Sequence, residues 1–252
     1  MTETVFFNSL KAKFEDVLKK NHIENENVTI FCRALTPEEA IGKTKRQDYP
    51  IISGKDIMIE ANFKGSRGQA FTDSPTAFSG TLKEILDGNI EEDPRMRGLL
   101  IAAINAVMRH LDLCCGTVHC RTDGPELCAK DMLKFLQENY SHCRRIALIG
   151  YQPALLEMLA NSEYQVRVLD LNPDNVGQMR YGVLVEDGKE AYESIIHGDV
   201  DLILCTGSTV CNGTIVNYLD LDTEVLFFGT TLAGTAALMG LKRACFAHCY
   251  EE

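Results

Sequence analysis

The second half of the chain alternates short apolar runs with helical patterns, and this alternation constrains the fold more than any other feature. Continuous apolar runs predict buried strands at 146–149, 166–169, 202–205, 225–228 and around 244–247. Between these strands the spacing of apolar residues predicts helices at 126–138, 152–160, 189–197, 212–219 and 232–240. Short apolar strands separated by helices are typical of a parallel sheet covered on both faces. We therefore predict a doubly wound, Rossmann-like α/β domain.

The first half of the chain has a different pattern, which predicts a smaller α+β domain. A helical stripe over 3–20 precedes alternating strands at 28–35 and 56–63. The polar and charged segment 36–54 between these strands is predicted to be a long hairpin connection or a short helix. The segment 64–80 holds glycines, a proline and several hydroxyl residues, and we interpret it as an extended loop.

Helix start signals then place the division between the two parts. Thr81-Leu-Lys-Glu84 has the pattern of a capping box and predicts a short helix. Pro94 follows acidic residues and predicts the first turn of a longer helix that runs to about Leu111. We place the domain boundary near Asp93, so residues 1–93 form the α+β domain and residues 94–252 the Rossmann-like domain.

The charge and the absence of targeting signals limit the classes of partner. A formal net charge of −11 argues against nonspecific binding of nucleic acid and against docking on anionic membranes. No apolar run approaches the roughly 18 residues that span a bilayer, and the start of the chain lacks the pattern of a signal peptide. We expect a cytoplasmic protein whose ten cysteines are mostly thiols. A homodimer is the default expectation for such a protein.

Two turns rich in glycine and hydroxyl residues follow neighbouring predicted strands. The first is Gly207-Ser208-Thr209, followed by Asn212-Gly213-Thr214 at a predicted helix start, and the second is Gly229-Thr230-Thr231. Such turns present backbone N–H groups and hydroxyls at the carboxyl edge of a parallel sheet, where polar or anionic small molecules bind. The alternative is that these residues only cap helices. Their occurrence on successive strands favours one shared site.

A third turn, at Gly150, has part of a dinucleotide-binding pattern. Gly150 follows the strand at 146–149, and Asp170 lies twenty residues further on, where such proteins hold a ribose. The second and third glycines of that pattern are replaced by Gln152 and Leu155. Asp170 therefore contacts a nucleotide, contacts another polar ligand, or ends a strand without any ligand.

Thiols and an imidazole at short spacing form a candidate metal site. His119, Cys120 and Cys128 are close in sequence, and Cys211 stands beside Asn212 at a predicted helix start, where the pKa of a thiol is lowered. Such side chains bind soft or borderline metals. In a regular strand His119 and Cys120 would point to opposite faces, so a shared ion requires an irregular segment. The alternative is that these cysteines pack as small apolar residues.

The chain resembles the putative heavy-metal-chelation family, a Rossmann-like domain of unknown function preceded by an enolase-N-terminal-like domain. The likeness extends from about residue 5 to about residue 247. It rests on Gly68-Gln-Ala-Phe-Thr-Asp73, Phe78-Ser-Gly-Thr-Leu82, Gly116-Thr-Val-His-Cys120, Ile149-Gly-Tyr-Gln-Pro153 and Gly207-Ser-Thr-Val-Cys-Asn-Gly-Thr214.

The resemblance implies a site between the two domains. Gly207, Ser208, Thr209, Asn212 and Thr214 would line it from the Rossmann-like side, and Gln69 and Asp73 would approach from the other side. A link to anaerobic tetrapyrrole or corrinoid metabolism is also implied. Gln152 stands where the family's turn suggests an aromatic residue, so stacking at that position is not expected here.

The leading hypothesis is therefore that the chain binds a metal ion, or a metal-carrying anionic small molecule, in the interdomain cleft. A transition-metal ion is the candidate cofactor, and the sequence does not decide whether the protein is an enzyme. One alternative is a transferase or lyase with a nucleotide-type cofactor held by Asp170. A second alternative is an accessory protein that recruits a metalloenzyme.

Overall fold

The computed structural model describes residues 1–31, 38, 41–53 and 57–251 of the chain. Within these residues the strands form a four-stranded antiparallel sheet in the N-terminal part and a six-stranded, mostly parallel sheet in the C-terminal part. The α/β class predicted from the sequence is confirmed. The predicted strand 28–35 and the predicted connection 36–54 fall partly outside the described residues.

The N-terminal sheet is built from hairpin neighbours and is covered by helices. Its strands run in the spatial order β3-β2-β1-β4 and are β1 (Asn27–Phe31), β2 (Ile57–Phe63), β3 (Ser66–Thr72) and β4 (Phe78–Thr81). Helix α1 spans Glu3–Asn21 and ends at His22 in the left-handed conformation (φ 55°). Helix α2 spans Leu82–Leu86, and the capping box predicted for Thr81 and Glu84 is confirmed.

The prediction of an extended loop at 64–80 was wrong. Strand β3 pairs with β2 along its whole length, from Ile57 opposite Thr72 to Phe63 opposite Ser66. Strand β4 pairs with β1 in the same sheet. The glycines and hydroxyl residues that suggested a loop are accommodated because pairing with the apolar strand β2 supplies the stabilisation that local propensity lacks.

Helix α3 (Pro94–His110) lies between the two parts of the molecule. Asp93 caps its first turn by accepting a hydrogen bond from the Arg95 N–H (3.0 Å). A Cβ atom on Gly68 would lie 2.2 Å from the Ala106 nitrogen, so β3 and α3 approach backbone to backbone. The apolar face of α3 is buried over its entire middle, from Leu99 to Met108. The domain boundary near Asp93 stays a prediction.

The C-terminal sheet reverses its strand order at its centre. The order is β10-β9-β5-β6-β8-β7, and every pair is parallel except β7 with β8. The strands are β5 (Arg145–Ile149), β6 (Gln165–Asp170), β7 (Met179–Arg180), β8 (Val183–Asp187), β9 (Leu202–Thr206) and β10 (Val225–Phe228). The chain progresses outward from β5 to β8 and then returns to β9 on the other side of β5. Ligands bind at such switch points in open α/β sheets.

Helices α4 (Gly124–Asn139), α5 (Pro153–Ala160) and α6 (Ala233–Met239) confirm three of the helices predicted in this part. The predicted helix 189–197 is present as a single α-helical turn, Tyr192–Ser194, continued by a π-helical turn, Ile195–Asp199, in which Gly198 adopts φ 100°. The predicted helix 212–219 is a 3₁₀ turn, Thr214–Tyr218, because successive β-branched residues disfavour a longer helix.

Other errors concern strands. The hairpin of β7 and β8 was not predicted, because only Val185 of its residues is fully buried at this edge of the sheet. The strand predicted around 244–247 is reduced to one bridge between Phe227 and Arg243, followed by a 3₁₀ turn at Ala247–Cys249. In the part of the chain with described positions, no helix is long and apolar enough to cross a membrane.

Candidate functional site

A cavity of about 600 Å³ lies where the two sheets meet. One wall is the carboxyl edge of the parallel sheet, with Gly150, Asp170, Thr206 and Gly229 directly at the ends of β5, β6, β9 and β10. The opposite wall includes the end of β3, at Phe71–Asp73. The cavity therefore contains the switch point between β5 and β9, where the topology favours a ligand.

Most residues predicted for the site from the sequence line this one cavity. They are Gly150, Asp170, Ser208, Thr209, Asn212, Thr214, Gly229, Thr230, Thr231, Asp73, His119, Cys120, Cys128 and Cys211. The predicted residues Gly207, Gly213 and Gln69 are not part of the lining.

These three residues support the lining from behind. A Cβ atom on Gly207 would lie 2.7 Å from the Cβ of Leu232, so this position lets two turns pack closely. Gly213 adopts φ 82°, a conformation that favours glycine. The Gln69 side chain accepts a hydrogen bond from the His119 N–H (2.7 Å) and donates one to Glu60 (2.7 Å). Gln69 thus positions His119 without facing the cavity.

The turn after β9 leaves one hydroxyl for a ligand. The Thr209 hydroxyl donates to the Thr206 carbonyl (2.8 Å), so it is already used. The Thr206 side chain, which was not among the predicted caps, caps this turn by accepting from the Ser208 N–H. Among the residues with described positions, the Ser208 hydroxyl has only a long contact of 3.4 Å, with the Thr206 hydroxyl. Ser208 is the residue of this turn with spare hydrogen-bonding capacity towards the cavity.

The turn after β10 has a buried hydroxyl without a protein partner. The Thr231 hydroxyl accepts a hydrogen bond from the Phe71 N–H (3.1 Å) and so ties this turn to β3. Thr230 is only 2% exposed, and its hydroxyl oxygen has no hydrogen-bond partner among the described residues. Buried hydroxyls are normally hydrogen-bonded, so each exception requires an explanation. A ligand in the cavity that Thr230 lines would supply the missing partner.

Asn105 of α3 holds this turn in place, and sequence reasoning missed it. Its amide nitrogen donates to the carbonyls of Gln69 (2.9 Å), Thr231 (2.9 Å) and Thr230 (3.3 Å). Its amide oxygen accepts from the Gly234 N–H (2.7 Å). One fully buried side chain therefore links β3 to the turn before α6. The signal in the sequence was a lone amide within an otherwise apolar stretch of a predicted helix.

The Asp170 carboxylate binds backbone N–H groups at and near the Gly150 turn. Gly150 adopts φ 85°, and the Asp170 carboxylate accepts hydrogen bonds from the N–H groups of Tyr151 (2.6 Å) and Asn172 (2.6 Å). Gln152 caps α5 by accepting from the Leu155 N–H (2.5 Å). Asp170 thus fixes the shape of the turn, whatever ligand contacts its remaining lone pairs.

Asn212 and Cys211 lie on the rim between the two sheets. The Asn212 side-chain oxygen accepts from the N–H (3.0 Å) and the hydroxyl (2.7 Å) of Thr214, so its role as a local cap is present. The expectation of a lowered pKa for Cys211 was wrong. Burial raises the pKa of this thiol to about 12, and Asp73 acts in the same direction, while Arg97 opposes it.

Thiol and imidazole side chains from several segments of the chain also line the cavity. His119 and Cys120 lie in an irregular segment without strand pairing, and both side chains line the cavity. Cys128, in the first turns of α4, and Cys245, which the sequence did not single out, line it as well. Over residues 1–31, 38, 41–53 and 57–251, no three His, Cys, Asp or Glu side chains form a ready-made metal site.

The segment 41–53 forms another wall, fixed by an ion-pair network. Arg46 forms ion pairs with Glu126 (2.9 Å), Glu157 and Asp48 (3.6 Å). The Asp48 carboxylate also accepts from the Tyr151 hydroxyl (3.0 Å), next to the Gly150 turn. The lining of the cavity includes four residues of this segment, Ile41, Tyr49, Pro50 and Ile51, so the network anchors one of its walls. From the sequence, this segment was predicted only as a polar connection between strands.

Comparison with known proteins agrees with this architecture. Residues 133–240 match the model of the family DUF364, described as "Putative heavy-metal chelation". A DUF364 protein of unknown function from Pyrococcus horikoshii has a similar fold, with a TM-score of 0.54 and 18% identity over 88% of this chain and 79% of that chain. A DUF364 protein of unknown function from Desulfitobacterium hafniense DCB-2 gives a TM-score of 0.45 and 15% identity over 73% and 72%. No curated protein matches this chain. The resemblance noted in the sequence is thus confirmed over residues 133–240, which match the model of DUF364, the putative heavy-metal-chelation family.

Proposed function

We propose that this protein binds a metal ion, or an anionic small molecule that carries a metal, in the cavity between its two sheets. The observation that carries the proposal is the buried Thr230 hydroxyl, which lines the cavity at the edge of the parallel sheet and lacks a partner in the part of the chain that the structure describes. The description of the DUF364 family as putative heavy-metal chelation supports the metal. The link to tetrapyrrole or corrinoid metabolism stays a prediction.

The polar groups of the lining suggest how such a ligand is held. The hydroxyls of Ser208 and Thr230 have spare capacity, and they contact the ligand's oxygen atoms. The charged side chains in the lining are the carboxylates of Asp73 and Asp170 and the ammonium group of Lys189. Two carboxylates and one ammonium group would repel a bare polyanion. Such a lining favours a ligand whose negative groups are partly neutralised by a metal.

The nucleotide hypothesis has less support from the site. Each carboxylate oxygen of Asp170 already accepts one backbone N–H group, so only its remaining lone pairs are left for a ribose. The hypothesis predicts that adenosine-containing compounds raise the melting temperature and that Asp170→Ala abolishes this shift. If no compound of such a panel raises the melting temperature, the nucleotide hypothesis is excluded.

A pair of threonine variants tests the proposed site. The hydroxyls of Thr230 and Thr235 are both buried without a partner, but only Thr230 lines the cavity. Valine has nearly the same shape without the hydroxyl, so neither substitution removes a protein hydrogen bond. The wild-type protein and both variants are purified anaerobically without a metal-affinity tag. Copurifying metal is then measured by elemental analysis and copurifying small molecules by mass spectrometry.

We expect the wild-type protein and Thr235→Val to retain the same ligand, and Thr230→Val to lose most of it without a loss of stability. Denaturant unfolding of the ligand-free proteins checks the stability. Equal retention by the two variants would contradict the assignment of Thr230 to the ligand. A wild-type protein without metal or organic ligand would contradict the proposed function.

A further inference from the structure

One side of the cavity is apolar and is built from four parts of the chain. Ile41 and Ile51 line it from the segment 41–53, Met132 from α4, Leu155 from α5 and Phe228 from the end of β10. All five side chains belong to a single buried apolar cluster, which also contains the residues of β5 and β9 on one face of the parallel sheet. We call these five residues the apolar wall.

Two tyrosines extend the apolar wall, because their hydroxyl groups are bound by carboxylates. The Tyr49 hydroxyl donates to Glu126 (2.8 Å), and the Tyr151 hydroxyl donates to Asp48 (3.0 Å). Both carboxylates form ion pairs with Arg46 and do not line the cavity, whereas both tyrosines do. Each tyrosine therefore offers its ring to a ligand, while its polar end belongs to the network behind the wall.

The hydroxyls with spare hydrogen-bonding capacity directly adjoin the apolar wall. Thr230 follows Phe228 by two residues, and Ser208 follows Thr206 by two residues. Phe228 and Thr206 lie opposite each other at the ends of the paired strands β10 and β9. Apolar and polar contacts are thus available to one molecule in the same cavity.

The size of the cavity fits an organic molecule. Cavities of roughly 300–1,000 Å³ with mostly apolar walls and a few polar groups bind small organic ligands, and this cavity has about 600 Å³. A bare metal ion takes oxygen, nitrogen or sulfur ligands and gains nothing from isoleucine, leucine or phenylalanine side chains. An apolar ring system or chain gains free energy from each part of its surface that these side chains remove from water.

We propose that the ligand is an amphipathic organic molecule that carries the metal. Its apolar body lies against the apolar wall, and its oxygen-bearing head contacts the hydroxyls of Thr230 and Ser208. This inference rests on the proposed function and deepens it, because it selects an organic carrier over a bare metal ion.

Two fluorescent probes separate the contribution of the body from that of the head. Anilinonaphthalene sulfonate has aromatic rings and one anionic group, and phenylnaphthylamine has the same rings without the anionic group. Both are titrated into full-length protein freed of copurifying ligand and metal by dialysis against a chelator. We expect each probe to bind at one saturable site per chain, and excess inorganic sulfate to displace neither.

Matched pairs of variants then assign each part of the probe to its side of the cavity. Ile51→Asn should weaken both probes roughly tenfold, because it places an amide against the aromatic rings. Ile52→Asn is its control, since Ile52 lies in the same turn and packs on the same cluster without lining the cavity. Thr230→Val should weaken only the sulfonate probe, by several-fold, and Thr235→Val should weaken neither.

Unfolding in urea checks that each variant is folded, and the two probes on the wild-type protein give a result that needs no variant. Equal probe affinities for Ile51→Asn and Ile52→Asn, the lack of a saturable site for either probe, or displacement by sulfate would overturn the inference. A metal ion without any organic molecule in anaerobically isolated wild-type protein would also overturn it, and the proposed function would still stand. Wild-type protein isolated with neither would contradict the proposed function itself.

Discussion

Replacing Asn105 by leucine should remove the principal polar link between α3 and the turn after β10. Leucine has a similar volume and fits an apolar helix face, so lost hydrogen bonds rather than lost packing determine the effect. The Gly234 N–H (2.7 Å) would lose its acceptor, and the carbonyls of Gln69 and Thr231 (both 2.9 Å) would lose a donor. The bond to Thr230 is longer at 3.3 Å and contributes less.

The magnitude follows from the cost of buried groups that lack partners. An unsatisfied buried donor or acceptor costs about 1–3 kcal/mol. We assign about 2 kcal/mol to the N–H group and about 2 kcal/mol to the two carbonyls together, since a carbonyl can share its lone pairs with other donors. Burial of the leucine side chain returns about 1 kcal/mol, which leaves a loss of about 3 kcal/mol. Asn105→Asp should lose more, because its carboxylate would face three carbonyl oxygens.

Unfolding in urea measures this loss directly. The midpoint should fall while the slope of free energy against denaturant stays constant, because the exposed surface is unchanged. Asn139→Leu is the matched control, since the Asn139 side chain makes a single exposed hydrogen bond to the Phe135 carbonyl. The control should stay within about 0.5 kcal/mol of the wild type. A loss below about 1 kcal/mol for Asn105→Leu would refute the role assigned to this side chain.

Two further predictions concern packing and pH. Gly68→Ala should destabilise the protein by about 1–3 kcal/mol in the same assay, because the new Cβ atom would meet the backbone of α3 at 2.2 Å and 2.5 Å; unchanged stability would contradict the close approach. Hydrogen bonds from the Arg145 side chain and from the N–H groups of Arg144 and Arg145 hold the pKa of Asp201 well below its usual range. The resulting stability is present above about pH 4 and is lost as the pH falls through the native pKa, so the difference between wild type and Asp201→Asn should shrink on acidification. A difference that is independent of pH would exclude this linkage.

The parallel sheet could be predicted from the sequence because its strands are continuous apolar runs. The strand residues 146–149 and 202–205 are buried. Such continuous apolar runs are typical of parallel strands that are covered on both faces. Glycine and hydroxyl residues directly after these runs indicated where the chain turns. The carboxyl ends of parallel strands meet at one edge, and most of the predicted site residues do line one cavity there.

The remaining features depend on contacts between distant parts of the chain. Ser66–Thr72 becomes a strand because β2 and α3 enclose it, which no local pattern of this polar segment indicates. Cys245 reaches the lining of the cavity only through the packing of the segment 243–250. The pKa of Cys211 rises because the folded chain buries the thiol, and position at a predicted helix start carried no information about burial.

The most direct test of the account is the content of the cavity in protein isolated without oxygen and without a metal-affinity tag. Elemental analysis, paired with mass spectrometry of released small molecules, should find close to one metal ion per chain, alone or with an organic anion. The same preparation of Thr230→Val should have lost the organic component, and Thr235→Val should have kept it. A wild-type protein that contains neither metal nor small molecule would contradict the central claim that this cavity binds a metal or a metal-carrying ligand.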